Sequence, residues 1–121
     1  MRIAITARGG SLDAEVDPRF GRAECFVVVD PDTMEFKVVD NKQNVQAASG
    51  AGVQAAQLVA EHNAAAVLTG NCGPKAFRTL KAAGIDVFVG INGTVKEAIA
   101  VYKSKKLKPA DNANVEAHSG I

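Results

Sequence analysis

Apolar positions along the chain fall into short runs of two kinds, separated by stretches rich in glycine and charge. Residues 3–7 and 25–29 are continuous, small or β-branched runs, the pattern of strands covered on both faces. Asp30-Pro31-Asp32-Thr33 then supplies turn chemistry, because proline presets one turn dihedral and Asp side chains bond nearby backbone. Phe36-Lys37-Val38-Val39 follows at once, so the second and third runs predict a hairpin.

After a polar stretch over 41–49, read as a loop, the period lengthens. Val53, Ala56, Val59 and Ala60 recur at helical spacing within residues 50–62. Residues 65–69 return to a buried-strand run. Gly73-Pro74 opens a second helix, with proline in the first turn where its missing N–H costs nothing. Phe77, Leu80 and Ala83 share a face of it, and Gly84 is placed to end it in the left-handed conformation. Residues 85–89 form a last strand. Thr94-Val95-Lys96-Glu97 has the form of a capping box, and Val95, Ala98, Ile99 and Tyr102 make the stripe of a third helix. The pattern stops at Leu107, so one domain is expected over residues 1–107 and a mobile tail over 108–121.

A strand, a hairpin and then alternating helices and strands predict an α/β domain: a mixed five-stranded sheet flanked by helices, its parallel part joined by crossovers. A chain of 121 residues with 47% apolar side chains can bury such a core. With no tryptophan and 5% aromatics, that core must be aliphatic. The net charge of +1 gives no support to a nucleic-acid partner. No apolar run has the length of a membrane span or the form of a signal peptide. Cys25 and Cys72 stand far apart and outside any C-x-x-C pattern, which suits a reducing cytoplasm.

Glycine placement carries the first functional hint. Gly9, Gly10, Gly21, Gly50, Gly52, Gly70, Gly73, Gly90 and Gly93 all follow a predicted strand or precede a predicted helix. In a sheet with parallel strands those loops share one edge, where open α/β sheets bind ligands. Helix starts there present unpaired N–H groups and partial positive charge, and Arg8, Arg19, Arg22, Lys42 and Lys75 fall in or beside the same loops. The edge is therefore a candidate anion site. Such domains also need glycine simply to turn. No GxxxxGK[ST] is present, and Arg8-Gly9-Gly10-Ser11 after the first strand is not the dinucleotide fingerprint.

Cys72, just ahead of the second helix, should feel the helix dipole and have a lowered pKa, which makes it a candidate soft-metal ligand. The alternative is a small residue in a tight turn. Cys25 heads a strand and reads as core. His62 reads as a helix-end residue and His118 lies in the tail, so the four His and Cys side chains compose no zinc site. Asp13, Asp17 and Asp30 lack acidic partners on the first and fourth strands, which argues against a two-metal nuclease. The lysines at 103, 105, 106 and 108 read as a solvated helix end.

Four segments then carry a resemblance: Asp17-Pro18-Arg19-Phe20-Gly21-Arg22-Ala23, Gly50-Ala51-Gly52-Val53-Gln54-Ala55-Ala56, Thr69-Gly70-Asn71-Cys72-Gly73-Pro74-Lys75-Ala76-Phe77, and Ala83-Gly84-Ile85-Asp86-Val87. Together they resemble the dinitrogenase iron–molybdenum cofactor biosynthesis family, including its orange-protein branch, over roughly residues 1–107. The resemblance implies an RNase H-like α/β fold without nuclease carboxylates. It implies a non-catalytic carrier of an anionic molybdenum-containing sulphide cluster, either Mo–Cu–S or an Mo–Fe–S cofactor precursor, with an unidentified delivery or recipient protein. Where many family members carry histidine, this chain has Ser49, which shifts the weight to Cys72, the basic residues and backbone N–H groups. The expected binding residues are Arg8, Arg19, Phe20, Gly21, Arg22, Gly50, Gly52, Gly70, Asn71, Gly73, Pro74 and Lys75, with Cys72 as the metal ligand. In this reading the arginines offer charge, Phe20 packs on the sulphide face or anchors its loop, and the glycines admit the ligand to the backbone. A monomer or weak dimer is expected, without nucleic acid or membrane. The alternatives are an enzyme acting on a small anion, or a docking module using the same edge.

Overall fold

The computed structural model describes residues 1–45 and 50–115. The elements, in chain order, are β1 (Arg2–Ala7), β2 (Cys25–Val29), β3 (Phe36–Asp40), α1 (Lys42–Val45), α2 (Ala51–Glu61), β4 (Ala64–Leu68), α3 (Pro74–Ala82), β5 (Asp86–Phe88) and α4 (Val95–Lys103). The five strands form one sheet in the order β3-β2-β1-β4-β5. β2 pairs antiparallel with β1, Ala7 opposite Cys25, and β3 pairs antiparallel with β2. β4 and β5 continue the sheet in parallel from β1. The fold is the mixed α/β sheet that the hydrophobic pattern predicts.

Alternation along the strands sorts the core into two layers. Ala4, Phe26, Val28, Val67 and Val87 join Ala55, Ala56, Val59, Phe77 and Leu80 of α2 and α3 on one face. Ile3, Ile5, Val27, Val29, Leu68 and Phe88 join Val95, Ala98 and Ile99 of α4 on the other. The buried side of α2 is Ala51, Ala55, Ala56 and Val59, shifted from the expected stripe, and Ala83 is exposed. The α4 capping box forms as expected: Thr94 Oγ1 accepts from the Glu97 N–H, and the Glu97 carboxylate accepts from the Thr94 N–H.

Two segments differ from the sequence reading. Residues 42–45, expected as loop, form the single turn α1, because Asp40 Oδ1 accepts from the Lys42 N–H at 2.8 Å and Asn41 O accepts from the N–H groups of Asn44 and Val45. Packing also runs on past Leu107. The Ala110 N–H donates to Val87 O at 2.7 Å, and Ala110 and Ala113 lie against the α2–α3 layer. Small apolar residues without a period gave no sign of this. Residues 116–121 of the expected tail lie outside the described residues.

Topology sets where the loops go. The C-terminal ends of β1, β3, β4 and β5 and the start of β2 all lie at one edge of the sheet. The segments 8–24, 41–45, 69–73 and 89–94 therefore meet there.

Candidate functional site

The loop after β1 has two halves with different partners. The first half closes the start of α4. Ala14 O and Leu12 O accept from the Val95 and Lys96 N–H groups, and Thr94 caps the Glu97 N–H. All three first-turn donors of α4 are thus used internally, and the segment that begins with Arg8 is tied there, with the Arg8 N–H bonded to Glu15 O.

The second half, residues 17–23, sits on the opposite side and is held at each step. Asp17 is 1% exposed. Its N–H donates to Thr6 O, and Thr6 Oγ1 donates to Asp17 O at 2.7 Å. Its carboxylate accepts from the Arg19 N–H at 3.0 Å, an Asx turn, and lies 3.5 Å from Arg19 Nε. The Arg19 side chain stays half exposed. Asn71 O accepts from the Phe20 N–H, and Asn71 Nδ2 donates to Pro18 O at 3.0 Å. Asn41 Nδ2 donates to Gly21 O and to Ala23 O, and Arg22 Nη1 donates to Val45 O at 2.7 Å.

Glycine makes this packing possible. A Cβ on Gly70 would lie 2.8 Å from Pro18 Cα, and one on Gly21 would lie 2.9 Å from the backbone N and Cα of Gly52. Gly52 in turn faces Ala76, so the first turns of α2 and α3 converge under the Arg19 loop. The glycines expected to admit a ligand first of all admit the rest of the chain. Gly50 and Gly73 are the N-caps of α2 and α3, and neither helix has a side-chain cap. Pro74 stands in the first turn of α3 and Lys75 follows it, exposed.

Of the two roles expected of Phe20, the structure favours anchoring the loop: it is 0% exposed and packs on Phe26 with ring centroids 5.5 Å apart. The expectation for Cys72 is corrected. The Cys72 thiol is also fully buried. Burial pushes its pKa up to about 12, opposite to the expected lowering. The cause is desolvation of the thiolate, and among the described residues the thiol donates to Gly73 O at 3.7 Å. Cys25 is raised as well, by burial first and by Glu24 next. Ser49 and His118 lie outside the described residues. Among the described residues, no group of three or more His, Cys, Asp or Glu side chains is arranged to hold a metal ion, and no helix is long and apolar enough to cross a membrane.

Residues that the sequence reading missed are the polar locks: Thr6, Asn41, Thr69, Asn114 and the structural role of Asp17. The Asp-Pro pair at 17–18 was the one available signal, since Asx turns favour it. A separate cavity of about 320 Å³ beside α1 and α2 is lined by Lys42 but by none of the expected binding residues. Asp40 and Glu61 line it against Lys42 alone, a balance unsuited to an anion.

Known proteins can now be compared with this geometry. The family described as dinitrogenase iron-molybdenum cofactor matches residues 1–105. The apo form of the orange protein from Desulfovibrio gigas superposes with a TM-score of 0.92 at 46% identity, over 94% of this chain and 96% of that one. A Thermotoga protein solved by NMR superposes with a TM-score of 0.76 at 35% identity, over 89% and 91% of the two chains. An uncharacterised protein of Methanocaldococcus jannaschii is 31% identical, over 89% of this chain and 90% of its own. The chain, with its mixed five-stranded sheet and its Gly21–Gly52–Ala76 contact under the Arg19 loop, belongs to the dinitrogenase iron-molybdenum cofactor family.

Proposed function

We propose that the chain binds a preassembled, anionic, molybdenum-containing metal–sulphide cluster at its loop edge and carries it without transforming it. The observation that carries this reading is the convergence of the α2 and α3 starts beneath the Arg19 loop, with glycine at both N-caps. Each helix start bears partial positive charge, so bringing two together without a side-chain cap is unfavourable until an anion offsets it. Arg19 and Lys75 add full charges beside them, and α4, whose first-turn donors are used internally, takes no part.

The chemistry of the donor set fits such a cargo. A bare metal ion would need a thiolate or a carboxylate cluster. A cluster that brings its own sulphide ligands needs charge and N–H donors, which this edge has. In this reading Arg19, Arg22 and Lys75 supply charge, Gly50, Gly52, Gly73 and Pro74 shape the two helix starts, and Gly21, Gly70 and Asn71 hold the loops together. Arg8 lies toward α4 and contributes at longer range. Cys72 ligates only if the cargo opens the loop and strips its proton. The existence of an apo form of the orange protein from Desulfovibrio gigas, and the cofactor for which the family is named, support a bound group. The cargo is Mo–Cu–S or an Mo–Fe–S precursor, received and passed on in a reducing cytoplasm by a monomer or weak dimer.

Reconstitution decides it. The purified chain is loaded with tetrathiomolybdate and copper, or with tetrathiomolybdate, iron and sulphide, then desalted, scanned in the visible and analysed for Mo, Cu and Fe. A stable visible band with stoichiometric molybdenum is expected, and the second metal names the cluster. A colourless, metal-free product from both mixtures overturns the reading in favour of a small-anion enzyme or a docking module.

A further inference from the structure

Beyond residue 105, where the family match ends, the chain returns to the loop edge. It crosses β5 with the bond from the Ala110 N–H to Val87 O, rests Ala113 on the core, and delivers Asn114 to the segment before α3. The Asn114 side chain makes three bonds there. Its Oδ1 accepts from the Cys72 N–H at 2.7 Å, and its Nδ2 donates to Gly70 O at 3.3 Å and to Asn71 Oδ1 at 3.1 Å.

The third bond matters most, because Asn71 is itself a bridge. With its Oδ1 held by Asn114, its Nδ2 donates to Pro18 O, the residue before Arg19, while its backbone oxygen accepts from the Phe20 N–H. A carboxamide has a donor end and an acceptor end, so fixing one end aims the other. We infer that Asn114 is a positioning residue of the anion edge, acting through Asn71 to fix the segment that carries Arg19. The inference rests on the anion edge proposed above for its functional half, and on hydrogen-bond geometry alone for its structural half. The same contact uses up the Cys72 N–H, which is therefore no donor to the ligand.

Two variants in the full chain separate this relay from simple packing. Asn114→Ala removes all three bonds. Asn114→Asp keeps the acceptor for the Cys72 N–H but loses both donors. Amide hydrogen exchange is followed by NMR at Cys72 and Phe20, with Val27 and Val67 in the central strands as references. In Asn114→Ala, exchange at both Cys72 and Phe20 should quicken by about tenfold, the scale of one or two ordinary hydrogen bonds. In Asn114→Asp, Cys72 should stay protected while Phe20 quickens. The affinity of Asn114→Ala for tetrathiomolybdate should fall several-fold. Unchanged exchange at Phe20 in both variants overturns the relay, and wild-type affinity in Asn114→Ala overturns its role in binding. If the wild-type chain itself does not bind tetrathiomolybdate, the cargo reading fails, and the relay is still decided by the exchange at Phe20.

Discussion

A Cβ built on Gly52 would lie 3.0 Å from the Cβ of Ala76, so the first turns of α2 and α3 meet with no room for a further atom between them. That contact sets the distance between two positive helix ends, and Gly21 seals it from above, where an added Cβ would lie 2.9 Å from the Gly52 backbone.

Gly21→Ala tests the seal. The added methyl meets backbone atoms that cannot swing aside, so overpacking should cost about 1–3 kcal/mol. The expected outcome is a melting temperature lowered by about 4 °C for each kcal/mol. A variant that melts with the wild type would show that the Gly21–Gly52 approach is slack.

Arg19→Ala tests the charge of the edge. The side chain is half exposed, so its attraction for an anion is screened and worth about 1 kcal/mol, a roughly fivefold loss of affinity. Tetrathiomolybdate titration at two ionic strengths checks it. The loss should shrink at high salt, and Lys81→Ala, at a lysine paired with Asp86, should bind like the wild type.

Cys72 makes stability depend on alkaline pH. Its folded pKa is raised from 9.0 to about 12, so the unfolded chain loses the proton first. Stability is fully present below pH 9 and falls as pH rises toward 12. Within that window the slope approaches about 1.4 kcal/mol per pH unit. Urea unfolding at pH 8 and 10 should show the decline in the wild type and a flatter profile in Cys72→Ala. An alkylating thiol reagent at neutral pH should leave native Cys72 unmodified.

Thr94→Ala separates α4 from the other helices. Loss of the cap should cost about 1 kcal/mol of stability. Cargo affinity should not change, because the α4 start uses its donors within the chain. Reduced affinity in a folded Thr94→Ala variant would move the site to the α4 side of the sheet.

The elements were legible wherever burial imposes a period. β2 is buried at every position and reads as a run, and α3 places Phe77 and Leu80 on one face between a proline start and Gly84. The α4 start was written out as Thr94 and Glu97. The candidate edge was legible in its location, because parallel strands dictate where their loops gather. Its locks were not. Asn41, Asn71 and Asn114 work through partners 18 to 53 residues away in sequence, and no local pattern marks such a pairing. Cys72 was misjudged for a related reason: sequence places it beside a helix start, but only packing reveals how dry that place is.

The separations also fix an order of events while the protein is being made. The β2–β3 hairpin can close as soon as it leaves the ribosome, since its partners are neighbours. The loop edge must wait, because Thr6 finds Thr69 across 63 residues and Pro18 finds Asn71 across 53. Asn114, among the last described residues to emerge, finds Cys72 across 42. Half-made chains therefore display the glycine-rich loops but not the surface they compose, which belongs to the finished molecule.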